Sequence, residues 1–122
     1  MSSQSLFRID SITVNGAALA IQDGSARLNG AGRYVATAVP SATGPDFEQY
    51  AREATTIAAR LQFGPTVNPD DLVGMRDVRI VLKDANGPRR ALAPRCSFAS
   101  LGTLGDGPVD ITFNVLEPIQ WL

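Results

Sequence analysis

Short runs of valine, isoleucine, leucine, phenylalanine and threonine alternate along this chain with positions occupied by glycine and proline. Eleven glycines and eight prolines are spread over the 122 residues, and they divide the apolar runs into segments of strand length. The most regular run is 109–115, where Val109, Ile111 and Phe113 alternate with polar residues. Such alternation buries one face of a strand and exposes the other. The pattern predicts a mainly β protein.

Two Asn-Gly dipeptides predict hairpin turns, because both residues tolerate the positive φ angles that a tight turn requires. The run 6–14 ends at Asn15-Gly16, and Leu19 and Ile21 alternate on the return strand that we expect after it. The second dipeptide, Asn86-Gly87, separates two further predicted strands. Hairpins of this kind join neighbouring antiparallel strands.

The segment from Arg33 to Tyr50 contains an extended run and a loop. Residues 33–39 have strand character and are followed by the Pro/Gly-rich segment Pro40–Pro45, which we expect to be a loop tip. Gly30 and Gly32 come just before this segment and predict a bulge or kink in the preceding strand.

Residues 47–63 fit two patterns. Apolar residues recur at helical spacing from Phe47 to Leu61, whereas Ile57 to Phe63 also alternate like one face of a strand. Periodicity alone slightly favours a helix over 47–63. A short helix is predicted from Pro69, because Asn68 is a good N-cap and two carboxylates follow in the first turn.

These elements predict one domain over residues 1–122. We expect an antiparallel β-sandwich or a partly closed β-barrel, with one short α-helix and a long protruding hairpin loop. No stretch approaches the length of a membrane span, and the first residues lack the basic and apolar regions of a signal peptide.

Composition removes several kinds of chemistry. The sequence contains no histidine, and Cys96 is its one cysteine, so histidine-dependent triads, the usual zinc sites and intrachain disulfides are excluded. The formal net charge of −1 gives no basic field for holding phosphate backbones. We therefore expect a protein that is not an enzyme, with no catalytic residues, no cofactor and no metal site.

Four local motifs have a functional interpretation beside a structural one. Gly30 to Gly32 could suggest a phosphate-binding loop, but the third glycine is missing, and a kink in the strand explains these residues better. Asp70-Asp71 could bind a divalent metal, but stabilising the first turn of a helix is a sufficient role for the pair. The pair Arg89-Arg90 predicts a solvated edge or a contact between subunits. A small enzyme using carboxylates alone would need a pair such as Glu53 and Asp110, which the sequence does not bring together.

The order of the elements resembles the tail tube proteins of contractile-tailed bacteriophages, particularly the small Mu-like type. The likeness covers nearly the whole chain and lies in the arrangement of its segments. In chain order these are Val14-Asn15-Gly16, the glycine-rich strand Leu28–Arg33, an extended hairpin with a Pro/Gly tip, a strand through Thr56-Ile57, the helix at Asp70–Leu72, the strand pair around Asp84–Gly87, and the strand Gly107–Phe113.

The resemblance implies a subunit that forms hexameric rings, which stack into a tube through which DNA passes without specific binding. It also implies a virion tail location, assembly in the host cytoplasm, and sheath, baseplate and tail terminator proteins as partners. A tail terminator or connector ring, or the tube of a phage-derived contractile injection system, is the alternative. By the same resemblance residues 47–63 are mostly strand, and Tyr34 to Tyr50 form a hairpin that reaches the adjacent ring.

Contacts between rings or subunits are expected at the hairpin, its loop and the one tryptophan. The candidate residues are Tyr34, Val35, Val39, Pro40, Gly44, Pro45, Phe47, Tyr50 and Trp121. A physical argument also favours assembly, because a chain of this length cannot form the roughly 16 strands that an open aqueous channel needs. The polar positions Arg52, Thr56 and Arg60, or Asp110, Thr112 and Asn114, are alternative candidates for the wall of such a channel.

Overall fold

Alternating side chains and tight turns fold the chain into antiparallel β structure. A computed structural model describes residues 6–32, 34–65, 68–105 and 107–122, so Arg33 of the predicted strand lies outside the described residues. The strands are β1 (Ile9–Val14), β2 (Ala17–Leu19), β3 (Arg27–Asn29), β4 (Tyr34–Val39), β5 (Phe47–Arg52), β6 (Thr55–Leu61), β7 (Val78–Asp84), β8 (Arg90–Leu101), β9 (Val109–Val115) and β10 (Gln120–Trp121). The helix α1 covers Pro69–Val73.

The main sheet has the strand order β2-β1-β7-β8-β9-β6-β3, and every neighbouring pair is antiparallel. Its longest strand, β8, pairs with β7 and β10 near its start and with β9 from Cys96 onward. The β7–β8 register shifts between Ala93 and Cys96, and Pro94 occupies this bulge, where a missing N–H is tolerated. The described arrangement is sandwich-like and not a closed barrel, which confirms the predicted mainly antiparallel β fold.

One buried face of the main sheet forms the core. In β6, β7 and β9 buried residues alternate with more exposed ones, as the sequence of 109–115 predicted. Leu72 is the buried residue of α1 and joins the same cluster. The largest fully buried side chains are Phe113, Ile12, Ile57, Leu61, Ile80, Leu82, Ile111, Val109 and Cys96.

The helical interpretation of residues 47–63 is wrong. The segment forms β5 and β6, joined by Glu53-Ala54, and the two strands belong to different sheets. Ile57, Ala59 and Leu61 all face the core, so the period-two pattern was the relevant one. The helical spacing arose because exposed apolar residues of β5, such as Phe47, happen to precede buried residues of β6.

The two Asn-Gly turns are built differently. Asn15 and Gly16 have φ angles of 50° and 87° and join β1 to β2, as predicted. The second turn, between β7 and β8, is a longer loop closed by a hydrogen bond from Asp84 N to Arg89 O at 3.1 Å. In this loop the Asp84 carboxylate accepts from Asn86 N at 2.9 Å, which is the turn-forming role of an aspartate two residues earlier.

The return strand after the first turn is shorter than predicted. It ends at Leu19, and Ile21 instead forms a bridge with Leu61 of β6. Residues 17–22 therefore pair with β1 at one edge of the sheet and with β6 near the other. The predicted break near Gly30 follows β3, and α1 begins at Pro69 with Asn68 as its N-cap.

Candidate assembly surface

The strands β4 and β5 form a separate two-stranded sheet, which we call the hairpin. Its register runs from Tyr34 opposite Arg52 to Val39 opposite Phe47. All twelve of its residues are exposed, and the described strands pair it with no part of the main sheet. The structure thus confirms a long protruding hairpin in the predicted region.

The two faces of the hairpin differ in chemistry. Directly opposite residues of an antiparallel pair lie on one face, and neighbours along a strand alternate between faces. One face therefore carries Tyr34, Tyr50, Glu48 and Arg52 with two alanines. The other, the phenylalanine face, carries Val35, Thr37, Val39, Phe47, Gln49 and Ala51. The Phe47 and Tyr50 side chains are 71% and 69% exposed, respectively.

The far end of the hairpin is closed by polar contacts. Ser41 N donates to the Asp46 carboxylate at 3.1 Å, and Thr43 N donates to Ser41 Oγ at 3.5 Å. Pro40, Gly44 and Pro45 lie in this exposed loop.

The face of the hairpin that carries Tyr34 and Tyr50, which we call the tyrosine face, has one side-chain hydrogen bond of its own. The Tyr50 hydroxyl donates to Glu48 Oε2 at 2.7 Å, and this hydrogen bond raises the pKa of Tyr50.

Trp121 does not lie on the hairpin. It belongs to β10, which pairs with β8, and its ring meets that of Phe7 edge to face with centroids 5.4 Å apart. Beside it lies an open cavity of about 580 Å³, which we call the Trp121 groove. Its walls include Leu6, Phe7, Ile9, Leu28 and Trp121, and its charged lining residues are Arg8 and Arg27.

A buried carboxylate organises one end of this groove. Asp84 accepts from Arg8 N at 3.1 Å and from Asn86 N at 2.9 Å, and the Arg89 guanidinium lies 3.8 Å away. The Asn86 hydrogen bond lowers the pKa of Asp84; burial opposes it, while Arg8 N–H and the Arg89 charge lower the pKa further. The Arg89 guanidinium also lies over the Phe7 ring, 5.1 Å from its centroid.

The sequence pattern does not predict this cluster as a whole; it predicts that Arg89 and Arg90 form a solvated edge or a subunit contact, and both residues are exposed. Arg89 is engaged within the chain, and Arg90 exchanges two backbone hydrogen bonds with Leu122 at 2.9 and 3.1 Å. The available signal was the spacing of Asp84 and Asn86 before a proline, which is typical of an aspartate-capped turn.

The two alternative channel-wall stretches form one surface. Thr56 lies opposite Asn114, Ala58 opposite Thr112, and Arg60 opposite Asp110. Arg60 Nε and Asp110 Oδ1 are 3.3 Å apart. We call this side of β6 and β9 the polar face. Arg27 and Asn29 of β3 extend it at one edge, and Ser97 of β8, which is buried, continues it on the fourth strand. Arg52 is not part of it, because it lies on β5.

The carboxylate pair considered for acid–base chemistry is not brought together. Glu53 precedes the start of β6, whereas Asp110 lies opposite Arg60 near its end, a separation of roughly 20 Å along the strand. Within the described residues no group of three or more potential ligating side chains could hold a metal ion. Cys96 is buried as predicted, and burial raises the pKa of its thiol to about 11.

No described helix has the length and apolar character needed to cross a lipid bilayer. Comparison with protein-family models gives no match to this chain, and comparison with curated proteins gives none either. Three surfaces of the described residues are candidates for function: the hairpin, the polar face and the Trp121 groove.

Proposed function

We propose that this protein is a structural protomer of a phage tail tube, and that it assembles into stacked hexameric rings around a conduit for DNA. The observation that carries the proposal is the hairpin, whose twelve residues are all exposed and include Tyr34, Val35, Val39, Phe47 and Tyr50. Exposed apolar side chains grouped on one projecting element are typical of an interaction surface.

The low intrinsic stability expected of an isolated hairpin supports the proposal that a partner packs against it. An isolated two-stranded hairpin is marginally stable in water, because it has no third strand and no packed face. Here neither the tyrosine face nor the phenylalanine face is covered by the described part of the chain. A neighbouring copy that packs against one face would supply the missing burial, and the resemblance to tail tubes assigns this role to the adjacent ring.

The polar face supports a shared channel. A small barrel fills its interior with its own side chains, and an open aqueous channel needs roughly 16 or more strands. Six copies that each contributed β3, β6, β9 and β8 would supply about 24 strands, which exceeds that number. Sheet edges would then pair with neighbours instead of remaining open to aggregation.

The charge on the polar face is compatible with DNA passage. Its Arg60 and Asp110 side chains form an ion pair, Arg27 of β3 lies opposite Ala58, and the other positions of β6 and β9 are alanine, threonine and asparagine. A wall of this kind offers phosphates few cationic contacts, and affinity for DNA rises with the number of such contacts. The chain as a whole has a formal net charge of −1. DNA in the conduit would therefore not be retained.

The proposed partners follow from a tube. A sheath protein would surround the stacked rings, with baseplate and tail terminator proteins at the two ends, in a tail assembled in the host cytoplasm. A phage-derived contractile injection system would use the same rings. A terminator or connector protein would instead form one ring that does not stack.

Electron microscopy of the purified protein tests the proposal. We expect rings with a central channel that stack into tubes at high concentration. Single rings that never stack would favour the terminator or connector function. A protein that stays monomeric in analytical ultracentrifugation at high concentration, and forms no tubes when the other tail proteins are added, would contradict the proposal.

Deleting Ser41–Pro45 tests the role of the hairpin loop. The loop is exposed and its hydrogen bonds are local, so the main sheet should fold without it. We expect rings to persist and stacking to weaken, measured as the fraction of rings found in stacks. Replacing the same five residues with a flexible linker of equal length is the matched control for loop length. Loss of the folded monomer would show that this segment is part of the core.

A further inference from the structure

We propose that the Trp121 groove receives the far end of the hairpin of a second copy, with Phe47 against its apolar walls. This inference rests on the proposed assembly and identifies the acceptor surface within it.

The groove is suited to an aromatic side chain. It is open, has a volume of about 580 Å³, and is walled by Leu6, Ile9, Leu28 and the Phe7–Trp121 pair. The Trp121 side chain remains 51% exposed although Phe7 holds its ring in place. At protein interfaces an aromatic anchor of one partner is often buried in a pocket of the other, and a pocket with a fixed, exposed aromatic wall suits such an anchor.

The charges of the groove and the hairpin are complementary. The charged residues that line the groove are Arg8 and Arg27, whereas Asp46 comes directly before Phe47 at the far end of the hairpin. Glu48 lies on the opposite face of the hairpin, where it accepts a hydrogen bond from Tyr50. Arg8 is 3.4 Å from Asp23, but both side chains are more than half exposed, so this contact is weak and exchangeable. A carboxylate brought by a second copy would find arginine donors at the rim of the groove.

The length of the hairpin favours the groove of another copy. Ala31 lines the groove and lies three residues before β4, so the hairpin starts beside the groove. Phe47 is opposite Val39 at the far end of the ladder, five residue steps or roughly 17 Å from the Tyr34 end. The paired ladder holds Phe47 at this distance from the start of the hairpin. The contact is therefore head to tail between copies, which generates rings or open-ended chains.

Disulfide cross-linking tests the contact directly and keeps Phe47 in place. Gln49 shares the phenylalanine face with Phe47, and Ala31 is an exposed residue of the groove. The full chain carrying Gln49→Cys and Ala31→Cys should form covalent dimers and higher oligomers on mild oxidation. Gln49→Cys with Val73→Cys, on the exposed side of α1, is the matched control and should form none. Native Cys96 is buried and adds no background.

Charge exchange tests the polar contacts. Asp46→Arg and Arg27→Glu should each raise the concentration at which oligomers form by about tenfold, and the two together in one chain should recover most of this loss. Arg76→Glu, an exposed arginine elsewhere, should change it little. Equal effects of all three substitutions, or no recovery in the double variant, would overturn the proposal.

Cross-linking and microscopy together separate this inference from the proposed function. Cross-links between copies without tubes would support the docking contact and contradict the tail tube. Tubes without cross-links would support the tail tube and overturn the docking contact. A disulfide within one chain, or cross-links that form only after residues 1–5 are deleted, would show that the chain fills its own groove. Loss of cross-linking in the presence of a small apolar solute would instead support a groove open to apolar groups.

Discussion

A single carboxylate joins three parts of the chain that are distant in the sequence. Asp84 accepts hydrogen bonds from Arg8 N and Asn86 N and lies beside Arg89, and the side chain is 5% exposed. Arg89 also covers the Phe7 ring, and Phe7 packs against Trp121. Asp84 therefore helps to fix one wall of the Trp121 groove through Arg89. An aspartate at this position therefore serves both the turn and the candidate interface.

The contribution of Asp84 to stability should depend on pH. Its pKa in the folded state is below its ordinary value of 3.8, so the stabilisation is fully present above that value and is lost as the pH falls further. In urea titrations Asp84→Asn should be less stable than the native protein at pH 7, and the difference should shrink at pH 3. Asp10→Asn, on an exposed residue of β1, is the control. A difference that stays constant with pH would contradict this role.

Gly30 occupies a position that other residues fit poorly. Its φ is 71°, and a Cβ there would overlap the Ala54 carbonyl group. Its own carbonyl accepts a hydrogen bond from the Thr55 hydroxyl at 2.8 Å, which ties the end of β3 to the start of β6. This close approach explains the glycine that the sequence analysis associated with a kink.

Gly30→Ala should therefore lower the free energy of unfolding by about 2 kcal/mol or more. Gly32→Ala is the matched control, because a Cβ at Gly32 would meet open space and its φ is not in the left-handed region. That variant should be neutral or slightly stabilising. Urea unfolding of both variants measures the difference, and equal stabilities would contradict the assigned close contact.

At the scale of single elements, the chain contains two kinds of strand. In β9 the side chains alternate between core and solvent, and Phe113 is 1% exposed. In β4 and β5 both faces are exposed, including Phe47. The same residue type therefore contributes to folding in one strand and is available for assembly in the other.

Replacing the two phenylalanines separates these roles. Phe113→Ala should lower the free energy of unfolding by about 3–5 kcal/mol, because it leaves a cavity in the core. Phe47→Ala should change it by less than about 0.5 kcal/mol and should reduce assembly instead. Chemical denaturation below the assembly concentration, followed by sedimentation above it, measures both effects. A large loss of monomer stability in Phe47→Ala would place this side chain in the folding core.

Elements with strong local signals could be predicted from the sequence. The alternation of 109–115, the Asn15-Gly16 turn and the capped helix at Pro69 each depend on neighbouring residues, and all three are confirmed. Residues 47–63 could not be resolved in this way, because apolar residues of an exposed strand and a buried strand follow one another directly. Periodicity does not report which apolar residues are covered.

At the scale of the whole molecule, the arrangement depends on pairings between distant residues. The bend of β8 at Pro94 lets one strand join β7 on one part of the sheet to β9 on the other. Residues 17–22 pass from the β1 edge to the β6 edge. The path of residues 17–22 has no local signature in the sequence. The one local indication of the irregularity in β8 is Pro94, because a proline within a strand is typical of a bulge.

The candidate surfaces also differ in whether neighbouring or distant residues form them. The hairpin residues are nearly consecutive in the sequence, so the pattern alone predicts an exposed hairpin with aromatic residues, and contacts through them stay a prediction. The Trp121 groove combines Leu6, Leu28 and Trp121, which only the folded chain brings together. The sequence predicts a contact at Trp121 but gives no reason to associate this residue with Phe7 or Asp84.

The isolation of the hairpin also has a kinetic consequence. Because β4 and β5 pair only with each other among the described strands, they can open and close without disturbing the core. Hairpins form within microseconds, far faster than protein subunits meet. Under the proposed assembly, a docked neighbour would hold these two strands in the paired form. Part of the binding free energy of each assembly step would therefore offset the conformational entropy lost when the hairpin is ordered.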